Sequence, residues 1–244
     1  MPDKSHYSKK NKNMNHKIFL NCLAILIGFS QFGNGQDISI DLSGAWKADK
    51  GVIIFSGNYF SYAEFSANQK KYTGTYGGEW SQKDNKLNLS FEYNTFDTSL
   101  VGQSFDKPII LDENSLTIDK VTFSRIDNGS PGMLQGAWLF YGRKRDGELS
   151  TRDADQPRKT MKILSGTRFQ WIAYNTETGQ FSGTGGGTYT TIDNKYTESI
   201  DFFSRDASRV GAILTFDYEI VDNVWHHSGL NSRGEPLFEL WSKR

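Results

Sequence analysis

Beyond residue 35 the chain carries two histidines, His226 and His227, adjacent in Trp225-His226-His227-Ser228-Gly229. Neighbouring strand residues point to opposite faces, so the pair cannot chelate one metal or enter one cavity together. Trp225 and His227 share a face, which makes His227 the inward candidate. The second reactive group is Glu198, in Tyr196-Thr197-Glu198. It falls at a position that reads as core, where a carboxylate is costly unless paired or hydrogen-bonded. With Trp171, Tyr189, Tyr196 and Trp225, these groups spell a polar and aromatic pocket. Such a mix suits a ligand with a ring face and hydrogen-bonding groups. Glu198 and His227 could equally form a general acid/base pair, since a nearby carboxylate brings histidine into the working pH range. The plain alternatives are a satisfied core histidine and, for Glu198, a reversed strand face or an arginine partner that merely satisfies the carboxylate. A metal would need a third ligand that the spacing does not supply, and no cofactor is implied.

The body that positions these groups is one pattern written twice. Leu42-Ser43-Gly44-Ala45-Trp46 recurs as Leu134-Gln135-Gly136-Ala137-Trp138, 92 residues on. Ser56-Gly57, the glycine-rich Tyr72 to Trp80 stretch and Asp84-Asn85-Lys86 recur 109 residues on, at Ser165-Gly166, Phe181 to Tyr189 and Asp193-Asn194-Lys195. Phe123-Ser124-Arg125 and Trp241-Ser242-Lys243 close the copies. The copies break at the turn formers Asp127 to Gly132, giving domains over 37–128 and 132–244. The repeat is also an internal control. At the 109 offset Tyr196, Glu198 and Ile200 take the places of Leu87, Leu89 and Phe91, and the aligned turns set Trp225 and His227 opposite Leu116 and Ile118. The second copy therefore holds the reactive groups, and the first reads as a structural copy.

Each copy is built from short aromatic and β-branched runs with turn signals every 8–12 residues or so. Leu87, Leu89, Phe91 and Tyr93 alternate with polar residues, the period of a half-buried strand. Asp193-Asn194 and Asp222-Asn223 read as hairpin turns. About eight antiparallel strands fit in each copy, and a closed barrel removes the exposed edges of so small a sheet. The expectation is an all-β chain of two tandem antiparallel barrels. The run Gly183-Thr184-Gly185-Gly186-Gly187 lacks the lysine and following helix of a phosphate loop, and its repetition at Gly74 to Gly78 indicates a strand bend or bulge. The charged insert from Gly142 to Lys159 reads as a solvated loop or barrel-mouth lid.

Composition bounds the partners. Residues 1–35 hold five lysines and one aspartate, leaving 23 basic against 27 acidic groups, a net of −4, in the body. A mildly acidic body without a basic block argues against nucleic acid. Lys4 to Lys17, the apolar run Ile18 to Phe29 and Gly33-Asn34-Gly35 make the three-part pattern of a Sec-type secretory signal over residues 1–35. That apolar run is about 12 residues, short of the roughly 20 that span a bilayer. Met14 offers an alternative start. The single cysteine, Cys22, lies in this leader, so a processed chain has neither disulfides nor a cysteine nucleophile. The expected location is secreted or periplasmic, with no membrane span after cleavage.

The Gly-x-Trp at the first strand of each copy, the antiparallel meander and the late basic residue resemble the lipocalin or calycin superfamily. That resemblance implies that Trp46 faces Arg125 and Trp138 faces Lys243, with the cation packed over the indole at one barrel end. Gly185 to Tyr189, Tyr196-Thr197-Glu198, Trp225 to Gly229 and Glu239-Leu240-Trp241 are further similar to secreted bacterial lipocalin-like domains, which adds Glu239 to the candidate ligand-binding residues. The superfamily implies binding of small, usually apolar molecules, although fold alone does not decide function. The leading expectation is a small amphiphilic or aromatic ligand in the second barrel. The alternatives are an extracellular hydrolase or lyase using Glu198 and His227, and a structural or adhesion module with filled barrels.

Overall fold

A computed structural model describes residues 41–231 and 233–244; the leader expected over 1–35 lies outside them. The first eight strands are β1 (Gly44–Lys47), β2 (Gly51–Ser56), β3 (Tyr59–Ser66), β4 (Lys71–Lys83), β5 (Lys86–Asn94), β6 (Ser104–Leu111), β7 (Ser115–Ile118) and β8 (Val121–Asp127). They pair antiparallel in chain order, and β8 returns to β1 to close a barrel. The remainder are β9 (Gly136–Arg145), β10 (Glu148–Thr151), β11 (Arg158–Leu164), β12 (Arg168–Asn175), β13 (Phe181–Ile192), β14 (Lys195–Phe203), β15 (Ile213–Val221), β16 (Val224–Leu230) and β17 (Pro236–Lys243). Here β17 pairs back onto β9, making a second ring of eight, and β10 pairs with β9 alone. The chain is thus all-β, with two tandem eight-stranded antiparallel barrels that fit a lipocalin-like fold. No helix among the described residues is long and apolar enough to cross a membrane.

The charged insert departs from the loop expected of it. Its first residues extend β9 to Arg145, and Asp146 and Gly147, both at positive φ (52° and 85°), turn the chain into β10. Two consecutive left-handed residues make the hairpin turn that matches strand twist. The run of charges concealed this signal, because charged side chains on both faces of an exposed ribbon leave no alternating pattern. Asp193-Asn194 and Asp222-Asn223 also pair two positive φ values, between 52° and 62°, as hairpins require.

Each barrel is closed at one end by its repeated tryptophan. Trp46 Nε1–H donates to the Leu42 carbonyl at 3.0 Å, and Trp138 Nε1–H donates to Leu134 at 2.9 Å. The Arg125 guanidinium lies 3.9 Å from the Trp46 ring centre, and the Lys243 ammonium 5.5 Å from that of Trp138. Each cation sits directly across the closing seam from its indole. The glycine of the motif is needed because Gly44 and Gly136 adopt φ of +119° and +149°. At Gly44 a Cβ would also overlap the Asp127 carbonyl.

The two barrels pack through the same face of each repeat. Ile54 of β2 and Ile163 of β11, at matching positions, share one apolar cluster with Tyr93, Ile172 and Tyr174. At its centre Ser61 Oγ–H donates to Gln170 Oε1 at 2.5 Å, and Gln170 Nε2–H donates to Thr75 and Thr184 hydroxyls at 2.9 and 3.0 Å. Ser61 and Gln170 are equivalent in the repeats, as are Thr75 and Thr184, so the interface has the self-complementary character of a two-fold contact. Phe202 stacks on Phe65 at 4.5 Å, and Glu92 of β5 accepts from Tyr174 and Arg244 of the second copy. Gln170→Ala is expected to cost about 1–3 kcal/mol, since it removes the acceptor of the buried Ser61 hydroxyl proton and a donor to Thr75 and Thr184; urea unfolding of wild type and variant measures this directly.

Candidate binding site in the second barrel

Inside the first barrel the wall is apolar. Ile53, Leu89, Phe91 and Leu116 are buried there with Phe55, Phe60 and Phe123. The second barrel repeats this scaffold with ionisable groups at four matching places. Lys162 of β11 stands where Ile53 does, Glu198 of β14 where Leu89 does, His227 of β16 where Ile118 does, and Glu239 of β17 where Val121 does. Lys162, Glu198 and His227 are each at most 5% exposed.

These groups pair within the lumen. Lys162 Nζ donates to Glu198 Oε1 at 2.9 Å, and its ammonium lies 5.0 Å from the ring centres of Tyr196 and Trp225 and 5.2 Å from that of Trp241. His227 Nδ1 is 3.2 Å from Glu239 Oε2, which also accepts from Trp241 Nε1–H at 3.1 Å. Burial, and then the charge of Lys162, hold His227 below the ordinary histidine value. Burial pushes Glu239 upward, but the hydrogen bonds from His227 and Trp241 and the charge of Lys162 outweigh it and leave the carboxyl below the usual range. A carboxylate can only accept, so the Nδ1 of His227 carries its proton and Nε2 of the neutral ring is a bare acceptor.

The expected residues fall into three groups. Glu198, Tyr196, Trp225, His227 and Glu239 come together around Lys162. Tyr189 contacts the Tyr196 ring at 5.5 Å, but its hydroxyl donates to the Ser165 carbonyl at 2.6 Å, so it serves the hairpin loop beyond Leu164. Trp171 stands half-buried with Phe203, Leu214 and Leu237 along the inner wall. Its indole and Phe203 fill the side-chain space that Gly185 leaves free: a Cβ there would come within 2.7 and 2.8 Å of them. The register slips by one between Gly186 and Gly187, as the glycine run led one to expect, so Phe203 turns inward while Phe202 faces the first barrel. His226 lies on the outer face against Phe238, as expected of it.

One pairing differs from the sequence expectation. Glu198 and His227 do not bond one another; each has its own partner. Lys162 was not anticipated, although its signal was present: at the 109 offset a lysine replaces the buried Ile53. Three buried polar atoms here have no hydrogen-bond partner, namely Tyr196 Oη, Trp225 Nε1 and His227 Nε2. Burial and the neighbouring Glu198 charge hold the Tyr196 phenol well above its ordinary pKa, so it stays protonated. Among the described residues no group of three ligating side chains could hold a metal ion. The sequence matches no protein-family model and no curated protein.

Glu198→Leu should cost about 3–5 kcal/mol, because it strands a buried ammonium. Lys162→Ile with Glu198→Leu, which restores the first barrel's pair, should unfold near wild type, as replacement of buried ion pairs by apolar residues often does. Chemical denaturation of the three proteins tests both outcomes. The pH dependence has a definite sign. Since folded His227 resists a proton that the unfolded chain accepts, stability is full above pH 6.5 and falls as pH drops below it. Glu239 adds to the loss only below 4.5. His227→Phe should therefore flatten the stability profile between pH 6.5 and 4.5 relative to wild type, as read by thermal melts across that window.

Proposed function

We propose that this chain is an exported binding protein of lipocalin type, holding one small amphiphilic or aromatic molecule in its second barrel. The observation that carries this reading is the contrast between the copies. The first barrel is packed with apolar side chains, as a scaffold requires. The second sets Lys162, Glu198 and His227 where the first has Ile53, Leu89 and Ile118, and Glu239 at the place of the exposed Val121; half-buried Trp171, Phe203, Leu214 and Leu237 line it, as Tyr76, Trp80, Phe105 and Leu111 line the first. Barrels of about eight strands are wide enough to be filled or to hold one small ligand. Polar groups on an otherwise apolar wall are how such sites fix orientation. The first barrel supplies the rigid partner.

An enzymatic reading draws on one feature, the His227–Glu239 pair with Nε2 unengaged, which has the geometry of an oriented base. Binding needs fewer groups than catalysis and uses all of those present, so it is preferred. Export rests on the leader, and mass spectrometry of the N-terminus of the native protein should find a start after Gly35.

Titration with the neutral fluorophore N-phenyl-1-naphthylamine tests binding. Uptake with quenching of tryptophan emission is expected. Leu214→Arg should weaken it by tenfold or more, and Tyr62→Ala in the first barrel should leave it within about twofold, tenfold being about 1.4 kcal/mol. Binding lost in Tyr62→Ala and kept in Leu214→Arg would place the site in the wrong barrel.

A further inference from the structure

The unpartnered atoms in the second lumen specify the ligand further than its size does. Buried polar atoms are nearly always hydrogen-bonded, and each exception calls for an explanation such as a missing guest. Trp225, Tyr196 and His227 are at most 3% exposed. Their rings touch one another, with centres 5.1 Å apart for Tyr196–Trp225, 5.7 Å for Tyr196–His227 and 5.2 Å for Trp225–His227. All three leave a polar atom without a partner.

The three atoms differ in what they ask for. The indole Nε1–H of Trp225 can only donate. With its Nδ1–H turned to Glu239, the Nε2 of His227 can only accept. A guest group that answers both must accept and donate at once. A carbonyl, ether or carboxylate accepts only, and an ammonium donates only. A hydroxyl does both through one oxygen. Charge narrows the choice again. Lys162 is already engaged by Glu198, and Glu239 adds a further carboxylate beside His227, so an anionic group placed against Trp225 and His227 would be repelled.

We propose that the second barrel reads the hydroxyl of a neutral alcohol or phenol. Its oxygen accepts from Trp225 Nε1–H, its proton goes to His227 Nε2, and its apolar remainder lies along Trp171, Phe203, Leu214 and Leu237. This inference rests on the binding reading above and adds to it the chemical class of the ligand.

Four probes of one shape test it on the purified protein: 4-propylphenol, 4-propylanisole, propylbenzene and 4-propylbenzoate, each titrated by tryptophan fluorescence and by shift of the thermal midpoint. The phenol should bind at least tenfold tighter than each of the others. It should also move the indole N–H resonance that Trp225→Phe removes from the nitrogen–proton spectrum. In Trp225→Phe, which carries no change of charge, the advantage of the phenol over propylbenzene should shrink by fivefold or more. Equal binding of phenol, anisole and propylbenzene would overturn the hydroxyl inference and leave the binding reading standing. Preference for the benzoate would overturn it too. Failure of all four probes to bind would sink both, and would mean that a trapped water satisfies these atoms.

Discussion

A charge placed inside a barrel must be answered from inside it, and the second barrel is organised around that constraint. Lys162 enters a wall position that is isoleucine in the sister repeat, where an unpaired ammonium would be prohibitive. Glu198 answers it from three strands away, so the ion pair ties β11 to β14 across the lumen, and Tyr196, Trp225 and Trp241 surround the ammonium. The same rings then constrain the next layer. Trp241 hydrogen-bonds Glu239, Glu239 orients His227, and His227 packs on Phe216 with ring centres 4.3 Å apart. Moving one member disturbs every other, which is why this cluster determines both stability and the shape of the interior. Such pairs are poor sources of stability compared with apolar packing, so their presence in only one of two matched barrels points to use.

Duplication lets the fold tolerate this. Both copies use one face of the repeat to meet each other, with Ile54 and Ile163, Ser61 and Gln170, and Thr75 and Thr184 in corresponding roles. That contact covers one side of each sheet and leaves the interiors independent. The first interior is closed by the stronger of the two plugs, Arg125 stacked at 3.9 Å on Trp46, and is filled with aliphatic and aromatic side chains. The second has the looser plug, at 5.5 Å, and the polar wall.

What the sequence discloses follows from which features are local. Glycine-tryptophan repeats, alternating strands, paired aspartate and asparagine turns and the one-residue bulge at the glycine run are set by short-range sterics, so they are legible in the order of residues alone. The inward placement of His227, Glu198 and Trp225 is likewise legible, because strand periodicity fixes it once the register is known from the sister copy. Partnership is another matter. Glu198 finds Lys162, 36 residues away, and His227 finds Glu239, because barrel closure and strand tilt bring those levels together. A one-dimensional pattern does not contain shear. The β9–β10 hairpin was hidden for a different reason: an exposed ribbon with charges on both faces has no hydrophobic period to detect.

The repeat also separates scaffold from site without any other protein for comparison. Where both copies agree, as at Gly44 and Gly136 or Trp46 and Trp138, the shared residue answers a requirement of the barrel itself, a left-handed turn or a plug with its indole N–H bonded four residues back. Where they disagree on the outside, solvent tolerates both versions. Where they disagree on the inside, one copy must tolerate a cost that the other shows to be avoidable. Leu89 proves that the barrel needs no carboxylate at Glu198, and Ile118 that it needs no imidazole at His227. The buried polar groups of the second lumen are therefore not demanded by folding, and stability alone would have removed them. On the binding reading proposed above, what retains them is a guest molecule, which the unpartnered Nε1 of Trp225 and Nε2 of His227 would meet.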